Sequence, residues 1–490
     1  MTKFHSIISR RDFMKGLGIT SAGLGAMAGI GPVFKDLDDM MASPSGNFKR
    51  SWWVKERDFR DLTIDVDWNV LDIRKPFTIA PLTMKLLEEG PRIERRGAAM
   101  RANIKGDRLQ DHAVTEALDR VMNYVKAGAP VPLNQDINVA STQFLNGGPD
   151  YWGTPCWEDT PEENLQLVRS VMHYFGSSQV FVFEIDDYMK KLFTQEVSWG
   201  DVDTPQVNQS NGVITLPNKC KWGIVGAIKQ NSVIQKYGIK VHEDGPAKGY
   251  QPHFAEASCY DAYIDLHIVS LKIQAFLQGL GYSGVDAQFV GSGRHDPIRS
   301  LFGQYSVPFS AFAGLGEMSR ANIICSPEYG LGIRRPVLML TDLPLTPTKP
   351  VDAGIFNFCH TCKICANNCP SGQLSKDDEP SWEVHNYQGQ PINRSGICSY
   401  RADYVVASNF GCPRDCSLCQ GICPFNHPNE AIIHPIIKGT VGATPILDGF
   451  FANMERFMYS PENMDMDAWW KRDLNSWSGD ALPGFPSRVD

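Results

Sequence analysis

The chain has 490 residues, 42% of them hydrophobic, and includes 11 tryptophans, which is enough to bury a large core. Its formal net charge of −8 argues against a general nucleic-acid binder, which would be basic. After the N-terminal stretch, no segment approaches the roughly 18 consecutive apolar residues that a membrane span needs. We therefore expect a mature protein that is soluble or is held at a membrane by a partner.

The N-terminus has the features of an export signal. The sequence Ser-Arg-Arg-Asp-Phe-Met-Lys at positions 9–15 precedes an uncharged, Gly/Ala-rich stretch at positions 16–33. Paired arginines before such a stretch are typical of twin-arginine export signals. We predict a signal peptide over residues 1–42 with cleavage after Ala42; the small residues around Ala28 offer an alternative site.

The chain from residue 43 to residue 155 forms an N-terminal region with one predicted helix at 111–125, where apolar residues recur at helical spacing. A second helix follows it. Thr160 is a good N-cap for that helix, Pro161 suits its first position, and Glu163 completes a capping box.

Alternating helices and strands continue after this cap and indicate an α/β or α+β core. A buried strand is predicted at 178–185, where β-branched and aromatic residues form a short apolar run. A helix is predicted at 261–280, a turn at 327–330 and a second apolar strand at 337–342. A Pro-rich linker at 345–350 leads into the cysteine-rich part of the chain.

Two cysteine runs follow the linker and carry the strongest chemical signal. The first run, closed by a proline, consists of Cys359, Cys362, Cys365 and Cys369. The second, also closed by a proline, consists of Cys412, Cys416, Cys419 and Cys423. The first has the spacing of bacterial ferredoxins, and the second differs by one residue in its first gap. Zinc sites use two cysteine pairs, and disulfides rarely repeat so tightly. The runs therefore predict two [4Fe–4S] clusters.

The ligation predicted for these clusters is crossed, because in this motif the fourth cysteine of each run reaches the other cluster. The first cluster is assigned to Cys359, Cys362, Cys365 and Cys423. The second is assigned to Cys412, Cys416, Cys419 and Cys369, with Cys398 as an alternative to Cys412. The remaining cysteines are predicted to be small buried apolar residues: Cys156, Cys220, Cys259 and Cys325. An aromatic C-terminal tail is expected to pack on the core.

Short motifs recur in a characteristic order along nearly the whole chain. Besides the export signal and the cysteine runs, they are Thr160-Pro-Glu-Glu-Asn164, Gly279-Leu-Gly-Tyr282, Gly314-Leu-Gly-Glu317, Thr341-Asp-Leu-Pro-Leu345, Asp352-Ala-Gly354 and Gly449-Phe-Phe-Ala-Asn-Met-Glu455. In this order and spacing they resemble the corrinoid-dependent reductive dehalogenases of organohalide-respiring bacteria.

The resemblance implies a fold and a cofactor set. The implied fold is a nitroreductase-like, corrinoid-binding core at 156–350, a dicluster ferredoxin-like domain at 351–435 and a tail at 436–490 that packs on the core. The implied cofactors are a base-off cobamide and two [4Fe–4S] clusters. Residues that bind the corrinoid are not identified by the sequence. His267 lies in an incomplete Asp-x-His motif and is interpreted as an ordinary helix residue.

The resemblance also implies catalytic residues. Tyr282 matches the family's catalytic tyrosine and is the candidate general acid. A tyrosinate left after proton transfer would be stabilised by a nearby cation, for which Arg335 or Arg334 is the candidate. The family's asparagine before the Gly-Leu-Gly-Glu motif is missing here. Phe309 and Phe312, together with Tyr305, instead suggest an apolar pocket wall for a small chlorinated hydrocarbon.

The leading functional hypothesis is a respiratory reductive dehalogenase at the outer face of the cytoplasmic membrane. It would act on a small organohalide and need a small membrane-anchor subunit and an upstream respiratory electron donor, but no nucleic acid. One alternative is an epoxyqueuosine-reductase-like corrinoid enzyme, which the export signal and acidic charge oppose. Another is an exported dicluster electron carrier, which leaves some 300 upstream residues unexplained.

Overall fold

The computed structural model describes somewhat more than half of the chain. The described residues are 50–71, 89–109, 111–112, 149, 155–193, 197–208, 210, 213–239, 241–248, 251–287, 307–333, 336–370, 372–385, 396–400, 402, 417–426, 433–443, 448–449 and 466–471. The chain divides into two compact units, Met1–Arg50 and Ser51–Asp490. The predicted signal peptide and nearly all of the helix predicted at 111–125 lie outside the described residues.

The described strands form one central sheet and several small ones. They are β1 (Lys55–Glu56), β2 (Gln179–Glu184), β3 (Val197–Gly200), β4 (Gln206–Val207), β5 (Ile214–Pro217), β6 (Trp222–Ala227), β7 (Val285–Asp286), β8 (Glu317–Met318), β9 (Ile324–Cys325), β10 (Val337–Thr341) and β11 (Val351–Asp352). The central sheet has the order β2-β6-β10-β7, the others are β3-β5-β4, β1-β11 and β8-β9.

The described helices lie around these sheets and in the cysteine-rich part. They are α1 (Glu89–Arg101), α2 (Pro161–Phe175), α3 (Asp187–Lys190), α4 (Ser232–Lys236), α5 (Ala257–Gly279), α6 (Ile355–Cys362), α7 (Ile364–Asn368), α8 (Leu418–Gly421), α9 (Ile433–Ala443) and α10 (Met466–Trp470). Short 3-10 turns occur at His253–Glu256 and Pro424–Asn426. Within the described residues, none of the helices has the length and apolarity required to cross a membrane.

Every pairing in the central sheet is antiparallel, so the core is an α+β arrangement. Strands β2 and β10 flank β6, with Val180 and Val337 both opposite Gly226. Helices α2 and α5 contribute Met172 and Leu266 to the apolar core shared with these strands. The predicted strands at 178–185 and 337–342 are confirmed within one residue at each end.

The start of α2 shows the predicted cap with one change. The backbone N–H of Glu163 donates to Thr160 Oγ1 at 3.3 Å, and Pro161 occupies the first helical position. The backbone N–H of Thr160, which a capping box would pair with Glu163, instead donates to Asp159 Oδ1 at 2.8 Å. The N-terminus of α2 therefore has the Thr160 cap but not the second hydrogen bond of a capping box, because Asp159 accepts the Thr160 N–H in place of Glu163.

Helix α5 corresponds to the helix predicted at 261–280, but it begins four residues earlier and ends one residue earlier. It is apolar on most of its circumference because it lies between the sheet and the rest of the core. His267 lies within it and is buried. The helix ends before Gly281, which has a φ of 95°, and a Cβ there would come within 2.4 Å of Cys156 Sγ. Only glycine satisfies both constraints.

A second apolar cluster underlies the cysteine-rich part. It joins Phe358 of α6, Ile364 at the start of α7 and Val441 of α9 to Trp53 near the start of the second unit. The predicted linker at 345–350 is fixed by Thr348, whose Oγ1 bonds to the carbonyl oxygens of residues 182 and 313. The cysteine-rich part is therefore continuous with the core.

The described part of the aromatic tail contacts the core. The rings of Trp469 and Trp470 lie 4.8 and 6.0 Å from that of Phe254, which is fully buried. Trp470 Nε1 also donates to Asp111 Oδ1 at 2.8 Å. Residues 450–465 and 472–490 lie outside the described residues.

Candidate functional site

The first cysteine run lies on two short helices that meet at a sharp turn. Cys359 and Cys362 are on α6 and Cys365 is on α7. Lys363 joins the helices with a φ of 51°, a left-handed conformation that is unfavourable for a residue with a side chain. The cysteines of both helices contact one apolar cluster.

The last cysteine of the second run meets the first run. Burial raises the pKa of the Cys359 thiol to about 12, and the nearby Cys423 contributes to the rise. The pKa of Cys365 is also raised, first by burial and then by Cys359, Cys419, Cys362 and Cys423. The fold thus brings together the four cysteines assigned to the first cluster.

Cys423 is the thiol of this group that is prepared to carry negative charge. A hydrogen bond from the Cys325 thiol lowers its pKa, and burial opposes this effect. Backbone N–H groups of Phe425, Leu331 and Asn426 also donate to its sulfur. Hydrogen bonds to the charged form of a thiol favour that form. Cys423 is therefore held as the acceptor of a small ring of donors.

Cys325 was expected to be only a small buried apolar residue, and its contact with Cys423 has no signal in the sequence. Cys220 and Cys259 are buried, as predicted. The same prediction is wrong for Cys156, which is exposed and lies against the backbone of Gly281. Cys156 precedes the cap of α2, where the chain has not yet entered the core.

The second cysteine set is described only in part. Cys419 on α8 lies near enough to Cys365 to influence its pKa, and Cys369 follows α7 in the same apolar cluster. Cys412 and Cys416 lie outside the described residues. Cys398, the alternative to Cys412, is buried, and its pKa is raised by burial and by Asp65 and Glu379.

The donor chemistry of the first set fits an iron–sulfur cluster. Among the described residues, no three His, Cys, Asp or Glu side chains are arranged to hold a single metal ion. A cubane cluster instead takes one thiolate at each of several separate corners. Thiols whose ionisation is opposed by burial, such as Cys359 and Cys365, become thiolates on binding a metal.

Glu317 anchors the helix that carries the first two cysteines. Its carboxylate accepts backbone N–H groups from Ala353 at 2.7 Å, Ile355 at 3.1 Å and Phe356 at 3.2 Å. Burial raises the pKa of Glu317, while these three bonds oppose the rise. The carboxylate thus binds the otherwise unpaired donors at the start of α6.

The glycines before Glu317 explain the rest of its motif. Gly314 has a φ of 87°, and a Cβ there would lie 2.0 Å from the carbonyl oxygen of Lys349. At Gly316 a Cβ would lie 2.1 Å from the carbonyl oxygen of Cys325. At both positions another backbone segment occupies the space that a Cβ would need, so only glycine fits there.

Tyr282 lies just beyond the end of α5. Its hydroxyl donates to the carbonyl oxygen of Trp157 at 2.6 Å, and the backbone N–H of Trp157 donates to Leu280 O at 3.0 Å. Burial, followed by the negative charges of Cys156, Glu158 and Asp342, raises its pKa above the ordinary value of 10. Tyr282 is therefore protonated at neutral pH.

Three motifs that are distant in the sequence meet beside Tyr282. Asn164 accepts a hydrogen bond from Trp157 Nε1 at 2.9 Å and donates to the carbonyl oxygen of Pro344 at 3.0 Å. The backbone N–H of Ser283 donates to Asp342 Oδ1 at 2.6 Å. The region around Tyr282 is thus fixed by elements from three parts of the chain.

The other residues predicted near Tyr282 have different outcomes. Arg334 and Arg335, the candidate cations, lie outside the described residues, as does Tyr305. Phe309 is 1% exposed and stacks on Phe183, with ring centroids 4.9 Å apart. Phe312 is buried with its ring 5.2 Å from Trp68. Each of the two phenylalanines thus packs against another aromatic ring of the core.

A buried seam of carboxamides joins the core to α8. Gln235 donates to Gln230 and lies 3.4 Å from Gln420, and Asn426 donates to Gln235 Oε1 at 2.9 Å. The Nε2 atoms of Gln230 and Gln179 are buried without a hydrogen-bond partner among the described residues. Buried amide donors are normally satisfied, so these two donors are suited to hydrogen bonds with a bound polar group.

The chain is similar to curated reductive dehalogenases over nearly its full length. It is 29% identical to a chloroethene reductive dehalogenase of Dehalococcoides mccartyi strain VS, covering 96% of this chain and 98% of the relative. It is also 29% identical to a trichloroethene reductive dehalogenase of a second Dehalococcoides mccartyi strain, with coverage of 96% and 97%. An epoxyqueuosine reductase of Lactococcus garvieae is 24% identical over 37% of this chain.

Solved structures support the fold. A B12-dependent reductive dehalogenase superposes with a TM-score of 0.51 at 14% identity, covering 83% of this chain. A variant of the catabolic reductive dehalogenase NpRdhA gives 0.54 at 16% identity, covering 86%. This chain spans about half the length of those solved chains. No protein-family model matches the sequence.

Proposed function

We propose that this chain, which belongs to the reductive dehalogenase family, replaces a halogen by hydrogen in a small organohalide, a chlorinated hydrocarbon above all. The observation that carries the proposal is the similarity to chloroethene and trichloroethene reductive dehalogenases along 96% of the chain. The export signal and the respiratory setting of the reaction are part of the same proposal.

The proposed architecture assigns each part of the reaction to one region. The core at 156–350 is proposed to be nitroreductase-like and to bind a base-off corrinoid, and residues 351–435 to hold two [4Fe–4S] clusters. When bound, a reduced corrinoid supplies the electrons that break the carbon–halogen bond. The buried Nε2 donors of Gln179 and Gln230, which have no hydrogen-bond partner among the described residues, support a site for its carboxamide side chains.

Electron supply is proposed to run through the cysteine region. The first cluster would be held by Cys359, Cys362, Cys365 and Cys423, and the second by Cys369, Cys412, Cys416 and Cys419. Helix α8 carries Cys419 and, through Gln420, also contacts the amide seam. This shared helix supports a short path from the clusters to the proposed corrinoid site.

Tyr282 is proposed as the proton donor. Its raised pKa keeps the hydroxyl protonated at neutral pH, which a general acid requires. In the described structure the proton is directed to the Trp157 carbonyl, so donation to a substrate requires this bond to be exchanged. Arg334 or Arg335 is proposed to stabilise the tyrosinate.

The proposed location is the outer face of the cytoplasmic membrane. Export through the twin-arginine pathway would place the folded protein there, and a small membrane-anchor subunit would retain it. An upstream respiratory donor would reduce the clusters. The residues that would carry the export signal lie in the first unit, outside the described residues.

The decisive experiment combines metal content with turnover. Anaerobically purified protein should contain corrinoid cobalt and about eight irons, by the count for two cubanes. With reduced methyl viologen it should release halide from a panel of chlorinated alkenes, alkanes and arenes. Iron without corrinoid, together with no halide release, would favour the electron-carrier alternative.

The epoxyqueuosine-reductase alternative has one favourable observation, the 24% identity to the Lactococcus garvieae enzyme over 188 residues. The similarity is confined to about a third of the chain, whereas the dehalogenase similarity covers nearly all of it. The net charge of −8 also opposes tRNA binding. Turnover of epoxyqueuosine-containing tRNA without halide release would reverse this preference.

A further inference from the structure

Arg320 places a buried positive charge against the first cysteine run. It is 0% exposed, and its Nε donates to the carbonyl oxygen of Cys359 at 2.9 Å, while Nη2 lies 3.4 Å from that of His360. Nη1 donates to the carbonyl oxygens of Ser375 at 2.9 Å and Asp377 at 2.7 Å. The guanidinium thus ties helix α6 to the loop that follows the first run.

The described hydrogen-bond acceptors of Arg320 are all uncharged carbonyls. The ring of Tyr400 covers the guanidinium, with its centroid 3.9 Å from Cζ. The neighbouring carboxylates of Asp377 and Asp378 bind Ser375 and Lys363 instead. Within the described part of the chain, no carboxylate oxygen pairs with Arg320. A fully buried charge without a counter-ion is strongly unfavourable, so a bound anion is the expected partner.

We propose that Arg320 is the buried counter-charge of the first [4Fe–4S] cluster and sets its reduction potential. The proposal rests on the cluster assignment made above. A cluster held by four thiolates is a net anion, and its negative charge grows by one unit when it is reduced. A fixed cation nearby stabilises the reduced form more than the oxidised form, and burial strengthens the effect.

The choice of arginine at this position follows from its chemistry. Its fork of five N–H donors binds several carbonyl oxygens at once, as the contacts of Arg320 show. Arginine also stays charged when buried, whereas a buried lysine readily loses its proton. A counter-charge that must persist at every pH is therefore best supplied by arginine.

The test is a redox titration of the holoenzyme followed by EPR, with Arg320→Gln, Arg320→Lys and Arg169→Gln variants. Arg169 is the control: it is partly buried on α2, and its Nε donates to a backbone carbonyl at 3.4 Å in the α+β core. Arg320→Gln should lower the reduced-to-oxidised ratio of one cluster at least tenfold at a fixed ambient potential, equivalent to about 59 mV. The Arg169→Gln protein should match the parent.

The Arg320→Lys protein gives a second, independent readout. At neutral pH its first cluster should stay closer to the parent potential than in Arg320→Gln. As the pH rises, the buried lysine should lose its proton, and the potential should fall more steeply with pH than in the parent. Other charged groups near this position are common to both proteins, so their effects cancel: His360, Lys363, Asp377, Asp378, Glu379 and Tyr400.

The possible outcomes separate this inference from the proposed function. Parent protein without cluster iron or cluster EPR signals would remove the cluster assignment itself. Clusters present with parent potentials in both Arg320 variants would overturn the inference, even if iron content fell, because Arg320 would then be only a structural clamp. If Arg320→Gln does not fold, a lysine variant with the parent's pH dependence overturns it equally.

Discussion

The hydroxyl of Tyr282 donates a hydrogen bond to the carbonyl oxygen of Trp157, and this bond must break before the proton can be transferred to another group. Its acidic neighbours and partial burial raise its pKa, so the neutral acid is the form present across the physiological range. The same environment opposes the tyrosinate, so the proposed role requires a nearby cation, for which Arg334 or Arg335 is the candidate.

Replacing Tyr282 by phenylalanine is expected to lower halide release by about 10²- to 10⁴-fold, because a positioned general acid is lost. Cobalt and iron contents should stay at the parent level, since the Trp157 carbonyl loses only one bond. Tyr174→Phe, at an 86% exposed position on α2, is the matched control and should be fully active. Unchanged turnover in Tyr282→Phe would eliminate this tyrosine as the proton donor.

Asp448 is a second residue whose environment dictates a measurable effect. It is 2% exposed, its Oδ1 has no hydrogen-bond partner among the described residues, and burial raises its pKa from 3.8 to about 6. Because the folded-state pKa is the higher one, the folded state binds the proton more tightly. This stabilisation is present at low pH and is lost as the pH rises from 3.8 through 6.

Asp448→Asn should therefore be more stable than the parent at pH 8, by about 1–3 kcal/mol in the free energy of unfolding. The difference should fall by about half at pH 5 and vanish below pH 3.8, where the aspartate is protonated in both states. Urea titrations of both proteins at several pH values measure it. A difference that does not change with pH would show that the charge of Asp448 is not responsible.

At the scale of elements, the family motifs act as connections between segments. Glu317 joins the end of the Gly-Leu-Gly-Glu motif to the start of α6, and Asn164 joins the start of α2 to the segment after β10. Each of these side chains forms its hydrogen bonds with a segment that is distant in the sequence. Each motif is thus one half of a tertiary contact.

Glu317→Ala should destabilise α6 first. Three buried backbone N–H groups would lose their acceptor, at a cost of at least about 2 kcal/mol. The variant should lose the first cluster's iron and EPR signal at a lower temperature than the parent, before global unfolding. Glu163→Ala is the control, because the Glu163 side chain is exposed and Asp159, not Glu163, accepts the Thr160 N–H in the cap of α2. Equal cluster loss in both variants would refute the anchoring role.

The sequence predicted the elements whose signals are local. The N-cap at Thr160 and the strand that became β10 each lie within a short window, so pattern and propensity sufficed. The contacts of Arg320 and Cys325 were missed because their partners are distant in sequence. Arg320 and Cys359 are separated by 39 residues in the sequence. Asn426 and Gln235, whose contact in the amide seam was also missed, are separated by 191.

At the scale of the whole molecule, the cysteine region is an extension of the α+β core. Thr348 bonds to two core segments through the carbonyl oxygens of Val182 and Ala313. Helix α8 shares the amide seam with α4, and Phe425 shares an apolar cluster with Phe358. These contacts would hold the proposed chemistry in the core and the proposed electron supply from the clusters at a fixed separation. Metal binding should then stabilise both regions together.

The proposed crossed ligation would extend this coupling through the clusters themselves. Cys423 lies among the thiols of the first run, and its loss should remove the first cluster although it belongs to the second run. Cys423→Ser should therefore halve the iron content, abolish one EPR signal and raise the protease sensitivity of the segment that contains α8. Cys369→Ser should abolish the other signal. Cys220→Ser, at a buried cysteine outside both runs, is the control. Cys423→Ser should abolish the same signal as Cys359→Ser. If it instead abolished the signal that Cys419→Ser abolishes, each run would hold its own cluster, and the two regions would be coupled by packing alone.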